Sequence, residues 1–189
     1  MARIPEAQPR GGRGARDRIL WAAATLFYEE GVHATGVERL TDFAHVSKRT
    51  FYQHFPSKNA LVAEYLAGQT SSAEQGVDRA DLTPRERLLA IFVEPAAGLV
   101  RGCAFHNAAV ESAGNLPGVG EAVAEHKRAF TRRLVETAAE AGAADPEELG
   151  RRLAVLFEGA TALATSLDDG APVRDAREIA ELLVDAALR

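Results

Sequence analysis

One cysteine, Cys103, stands among the 189 residues. A lone cysteine excludes an intrachain disulfide framework and any multi-cysteine zinc site, and it fits a reducing compartment. Long apolar runs are also missing. None reaches the roughly 18 residues that a membrane span needs. The N-terminus lacks the apolar central stretch of a signal peptide. A soluble cytoplasmic protein with no membrane partner is expected. Clusters of Val, Thr and Ile are few, which removes the usual strand signal. Ala and Leu abound instead, and with eight Phe they point to helix and to a packed core.

A surplus of positive charge is absent as well: the formal net charge is −5. Taken whole, that argues against a nucleic-acid partner. The charge is divided unevenly, however. Residues 1–58 hold nine Lys/Arg against six Asp/Glu, whereas residues 59–189 hold thirteen against twenty-one. A basic head on an acidic body suits a protein whose contact with a polyanion is confined to one end.

Along the chain, apolar spacing predicts an all-α protein of about nine helices. Residues 1–14, rich in Gly, Pro and Arg, read as a flexible basic arm. Helix 1 is expected over Ala15–Glu30, with Ile19, Ala23, Leu26 and Phe27 facing inward and Gly31 as the stop. Helix 2 covers about Val37–Ala44, with Val37, Leu40 and Ala44 inside. Helix 3 starts after Ser47 and ends before Pro56, and helix 4 runs from Ser57 to about Glu74. The polar stretch Gln75–Thr83 reads as a boundary, which divides a helix-turn-helix domain (15–74) from a helical body (75–189). In the body, Pro84 opens helix 5, which carries Leu88, Leu89, Phe92 and Val93 and ends near Glu94. Helix 6 spans roughly Cys103–Ala113, and helix 7 roughly Val119–Ala141. The eighth and ninth helices follow, from the Asp145-Pro146 cap to Leu167 and from Pro172 to Leu188.

Residues 37–54 read VERLTDFAHVSKRTFYQH, two short helices about a tight turn at His45. Ser47 is a strong N-cap for the second helix. Val46 and Phe51 are spaced as a hydrophobic staple, and Phe51 and Phe55, four apart, share the buried face. The opposite face presents Arg49 and Gln53, flanked by Thr50 and Tyr52, with Lys48 at the exposed start. Recognition helices read base edges mainly from their N-terminal residues. Arg and Lys can bridge guanine O6 and N7, Gln suits adenine, and a Thr methyl can touch thymine. Tyr52, His54 and Lys58 could donate to phosphates, which position without reading sequence.

This segment resembles the N-terminal domain of the tetracycline-repressor (TetR/AcrR) family. The matching stretches, within residues 16–66, are ILWAAATLFYEEGVHATGVERL and HVSKRTFYQHFPSKNALVAEYL. The second follows the family's recognition pattern, S-K-x-T-F/L-Y-x-H-F-x-S-K and then an apolar helix. The resemblance implies that Lys48, Arg49, Thr50 and Tyr52 face bases while Tyr52, His54 and Lys58 face phosphates. It implies an all-helical homodimer paired through its last two helices, with a small-molecule effector pocket in the body. RGCAFHNAAVE at 101–111 is a weaker match to the family's sixth-helix segment. Three residues depart from the pattern. His45 stands where the turn usually has Gly, although His tolerates positive φ better than most residues. Gly36 stands where Ser or Thr would cap helix 2. Glu38 puts a carboxylate near the DNA-facing start of helix 2, where it either accepts from cytosine N4 or points away.

The body carries weaker signals. Phe92, Phe105, Phe130 and Phe157 fall on four successive helices and could line an apolar pocket, with Asn107, Glu111, His126 or Glu158 as polar orienting groups; the alternative is ordinary packing. Cys103 with His106 is a poor nucleophile–base pair, since such partners usually come from separate segments. His106, Glu111 and His126 could bind a metal only if helices 6 and 7 place them together; a mix of core and surface roles is the favoured reading. No catalytic residue, metal or cofactor is expected. On helices 8 and 9, Leu149, Leu153, Leu156 and Phe157, and Ile179, Leu182, Leu183 and Ala186, repeat as core stripes. Ala160, Leu163 and Ala164 read as a second apolar face for a partner's helices. The expectation is a transcriptional regulator, a repressor released from operator double-stranded DNA by an effector. The alternative is a DNA-binding regulator or architectural module without one.

Overall fold

The computed structural model describes residues 14–68, 73–94, 108 and 119–189. Among these residues the structure is helical with no strand. They form two compact units, and each is described by itself. The head comprises 14–68 with Ala108 and 119–125; the body comprises 73–94 and 126–189.

In the head, α1 (Ala15–Glu29) packs on α2 (Val37–Phe43), α3 (Lys48–His54) and α4 (Lys58–Ala67). The stripe Ile19, Ala23, Leu26 and Phe27 is buried as its spacing requires. Gly31 ends α1 with φ 93°, a conformation that costs glycine no Cβ clash. Leu40, Ala44, Phe51, Phe55, Leu61 and Leu66 complete the core, while Val37 is only half-buried. Helix α4 stops at Ala67, about two turns short of the expected end at Glu74. Its last carbonyls are taken by the N–H of Gly68.

The body begins with a 3₁₀ turn, Glu74–Asp78, in place of the expected polar break. It buries Glu74, Gly76 and Val77 against α5 (Pro84–Leu89). Helix α5 opens with a reciprocal capping box between Thr83 and Glu86. That box holds the Glu86 carboxyl below its usual range. The helix also ends early, at Leu89 rather than Glu94. The carbonyl of Leu89 accepts instead from the Phe92 N–H and from Arg177. Val93, expected inside, is thereby exposed.

Three long helices complete the body: α6 (Val119–Glu140), whose first turns belong to the head unit, α7 (Pro146–Leu167) and α8 (Ala171–Ala187). They answer to the predicted helices 7, 8 and 9. Asp145 caps α7 by accepting from the Glu148 N–H at 2.8 Å. Helices α6 and α7 approach closely at Gly150, where a Cβ would meet the Val135 backbone N at 2.8 Å. Leu149, Leu153 and Phe157 face the core, with Leu156 half-buried. Ala160 and Ala164 join them there, so they are not part of an outer face; only Leu163 of that trio is exposed.

Helix α8 differs most from expectation. Its buried stripe is Val173, Ala176, Ala180 and Val184. Of the expected stripe, Leu183 is half-buried and packs against the core, whereas Ile179 is 48 % and Leu182 72 % exposed and Ala186 is exposed too. Small residues let α8 lie tightly on α7, and the larger apolar side chains are left in solvent. Of the predicted sixth helix, Ala108 is described, helical and buried, while Cys103, Phe105, His106, Asn107 and Glu111 lie outside the described residues, as do residues 1–13 of the Arg-rich arm.

Candidate nucleic-acid interface

The turn that sets the interface is strained but intact. His45 sits at φ 51°, in the left-handed region, and its N–H donates to the Asp42 carbonyl. The Val46 N–H returns to the Thr41 carbonyl at 3.0 Å. Ser47 then caps α3, its Oγ accepting from the Thr50 N–H at 3.0 Å. Ser57 repeats the device for α4, accepting from the Ala60 N–H. Helix α2 has no side-chain cap, as Gly36 implies.

Helix α3 is pinned from below. Phe51 is fully buried and Phe55 nearly so, their ring centroids 6.0 Å apart. Because residues four apart share a helix face, the remaining residues turn to solvent. Lys48, Arg49, Tyr52, Gln53 and His54 are all exposed. Thr50 is half-buried, with its hydroxyl 2.8 Å from that of Ser47. Lys58, also half-buried, points its Nζ at the His33 carbonyl. The structure thus gathers all seven residues into one short stretch of α3 and the start of α4.

Half of the charged groups of the head stand in ion pairs. Residues 14–68 contain six Lys/Arg and six Asp/Glu. Arg16 pairs with Glu64, Arg39 with Glu30 at 2.7 Å, and Lys48 with Glu38 at 2.9 Å. Arg18 donates to the Ala44 carbonyl. Among the described residues, Arg49 is the head cation that makes no ion pair or hydrogen bond. The Lys48–Glu38 bond lowers the Glu38 pKa and raises that of Lys48, each chiefly through the hydrogen bond between them. Most of the positive surplus of residues 1–58 therefore comes from the arm, which holds Arg3, Arg10 and Arg13 against Glu6.

The body's candidate residues are arranged differently. Phe157 stands 6.1 Å from Phe92 and 5.2 Å from Phe130, centroid to centroid, and all three are buried. Glu158 pairs with Lys127 at 2.5 Å. His126 lies 2.9 Å from the carboxylate of Glu74, which is fully buried. Sequence reasoning missed Glu74, which it left at the end of the predicted helix 4. Its partner lies 52 residues away, so no local signal could reveal it. No group of His, Cys, Asp and Glu among the described residues could hold a metal ion, and no helix of the described residues is long and apolar enough to cross a membrane.

Comparison with known proteins fixes the family. Residues 19–65 match the profile described as bacterial regulatory proteins, tetR family, and residues 84–180 match the tetracyclin repressor-like C-terminal domain. The transcriptional repressor KstR2 of Rhodococcus jostii is 41 % identical over 68 residues, 36 % of this chain and 33 % of its own length. The transcriptional activator FasR of Mycolicibacterium smegmatis is 39 % identical over 88 residues, 43 % of this chain and 40 % of its own. The matches thus span about a third to two-fifths of these curated relatives. Solved structures match along nearly the whole chain. A TetR transcriptional regulator from Streptomyces avermitilis superimposes with a TM-score of 0.75 at 33 % identity, covering 93 % of this chain and 98 % of that one. One from Streptomyces coelicolor gives 0.77 at 29 % identity, covering 95 % and 93 %. With both its recognition segment and its helical body matched, the chain belongs to the tetR family of bacterial regulatory proteins.

Proposed function

We propose that this protein binds operator DNA as a homodimer in the cytoplasm and represses transcription until a small-molecule effector releases it. The observation that carries the DNA-binding part is the solvent face of α3. Arg49 is exposed there with no ion pair or hydrogen bond among the described residues, one residue after Lys48 and four before Gln53, on a helix held by Phe51 and Phe55. A planar guanidinium can bridge guanine O6 and N7, and Gln53 can serve adenine. Tyr52, His54 and Lys58 supply phosphate contacts that fix register, and the Thr50 methyl stays available to a thymine. Repression follows from a bound dimer covering DNA that other proteins need.

Dimerisation is supported by the outer faces of α7 and α8. Val155, Leu163, Leu167, Ile179 and Leu182 are exposed on these two helices. An apolar face of this kind favours a two-fold pairing of like with like. Two heads so related would read a pseudo-palindrome with half-sites about one helical turn apart or at a longer compatible spacing.

The effector reading rests on the family and on two features of the body, the Phe92–Phe130–Phe157 cluster and the buried Glu74–His126 pair. Phe105, Asn107 and Glu111 remain candidates on sequence grounds. A second reading, a regulator with no effector, is favoured by the packing of Phe157 against both Phe92 and Phe130. Thermal unfolding against a panel of apolar and cationic small molecules separates the two, because a ligand that prefers the folded state raises its stability. The main reading is tested by sedimentation at micromolar concentration with binding to duplex DNA over a salt series. A dimer with strongly salt-dependent binding is expected. A monomer both with and without DNA, or no salt-dependent binding, overturns it.

A further inference from the structure

The Lys48–Glu38 pair joins the first residue of α3 to the first turn of α2 across the helix-turn-helix. It lies wholly in solvent, with the two side chains 58 % and 76 % exposed. Exposed ion pairs contribute little to stability, so a structural strut is a poor reason for it. Its effect on the field at the interface is larger. A free ammonium at the start of a recognition helix attracts any phosphate, whatever the sequence. An ammonium held 2.9 Å from a carboxylate belongs to a pair with no net charge, and its pull on a phosphate is weakened. It can still donate from its remaining N–H groups to a base edge that lies in register.

Resting on the DNA-binding reading above, we infer that Glu38 is a specificity-determining residue. It neutralises Lys48 against phosphates, and thereby raises the ratio of operator to non-specific binding. The other charges of the head agree with this. Arg16, Arg39 and Lys48 are each matched by a carboxylate, and Arg49 is left as the unpaired cation on the reading face. Residues 14–68, with six positive and six negative groups, add no net charge to the generic attraction that the arm's arginines exert on DNA. Within these residues, binding then depends more on contacts that the right sequence completes. The lowered Glu38 and raised Lys48 pKa values keep both groups charged throughout the neutral range.

The test uses the full chain and two duplexes: one selected by the wild-type protein from a randomised library, and a scrambled duplex of the same composition. Glu38→Gln keeps the shape of the side chain and removes its charge. It is expected to bind the scrambled duplex about tenfold more tightly near 0.1 M salt. Its log–log salt slope should steepen by about 0.9 per subunit, the value of one more phosphate neutralised. Affinity for the selected duplex should change less, so discrimination falls. In the Lys48→Ala background, Glu38→Gln should no longer produce the gain. Glu38→Ala should behave as Glu38→Gln does, and thermal midpoints should stay close to wild type. Unchanged binding and slope on the scrambled duplex overturn the inference. So does a gain that persists without Lys48. Weaker binding confined to one cytosine-bearing position, with scrambled binding unchanged, overturns it in favour of direct reading of cytosine by Glu38. If the wild-type protein shows no salt-dependent binding to either duplex, the DNA-binding reading fails and this inference with it.

Discussion

The outward faces of the two units are opposite in chemical character. On α3 the exposed side chains are Lys48, Arg49, Tyr52, Gln53 and His54, all able to hydrogen-bond. On α7 and α8 they include Val155 at 75 % exposure and Leu182 at 72 %, with Leu163, Leu167 and Ile179. Each unit reaches its surface by the reverse of the other's logic. In α3 the large aromatic residues go inside and the polar ones out. In α8 the small residues go inside and large apolar ones remain out. A short helix that must present polar groups needs bulky anchors beneath it. A helix that must present an apolar face can be seated on alanines.

Four changes break or sharpen this contrast, in order of size. Phe51→Ala removes the anchor beneath the polar face. A fully buried aromatic lost to Ala costs about 3–5 kcal/mol, so the head should unfold and DNA binding should vanish, as calorimetry and anisotropy would show. If binding survives, α3 is not held by its aromatics. Leu182→Glu places a charge on the apolar face. An unpaired charge is costly to bury, so the dimer should dissociate and operator affinity should fall about a hundredfold. Sedimentation that still finds a dimer would move the interface elsewhere. Gly150→Ala pushes a methyl onto the Val135 backbone. Overpacking of this kind costs about 1–3 kcal/mol and should lower the melting temperature without altering the selected DNA consensus. His45→Gly is the smallest change. It relieves φ 51° at the turn and should stabilise the head by up to about 1 kcal/mol; a loss of stability would mean that the His45 side chain supports the turn.

Much of the interface is legible in the sequence because its determinants are local. Ser47 and Ser57 each cap within three residues, and Phe51 and Phe55 declare the buried face by their spacing. What stays hidden is decided at long range. The periodicity of α8 contains two apolar stripes, and only its seating on α7 chooses Val173, Ala176, Ala180 and Val184 for the core. The early end of α5 depends on Arg177, 88 residues away. The burial of Glu74 depends on His126, and the pairing of Lys48 with Glu38 requires the crossing of two helices. The turn at His45 shows the other side. A residue tolerant of positive φ predicts a surviving turn, and the structure places it at φ 51°.

The most direct test of the account concerns Arg49, the cation left unpaired on the reading face. Binding-site selection with the wild-type chain should yield two half-sites related by two-fold symmetry. The same selection with Arg49→Ala should relax preference at one position in each half-site, a loss of about 1–3 kcal/mol per contact. Non-specific affinity should change much less. An unchanged consensus with uniformly weaker binding would contradict the account, leaving Arg49 as a phosphate contact and Lys48 as the reader of the base.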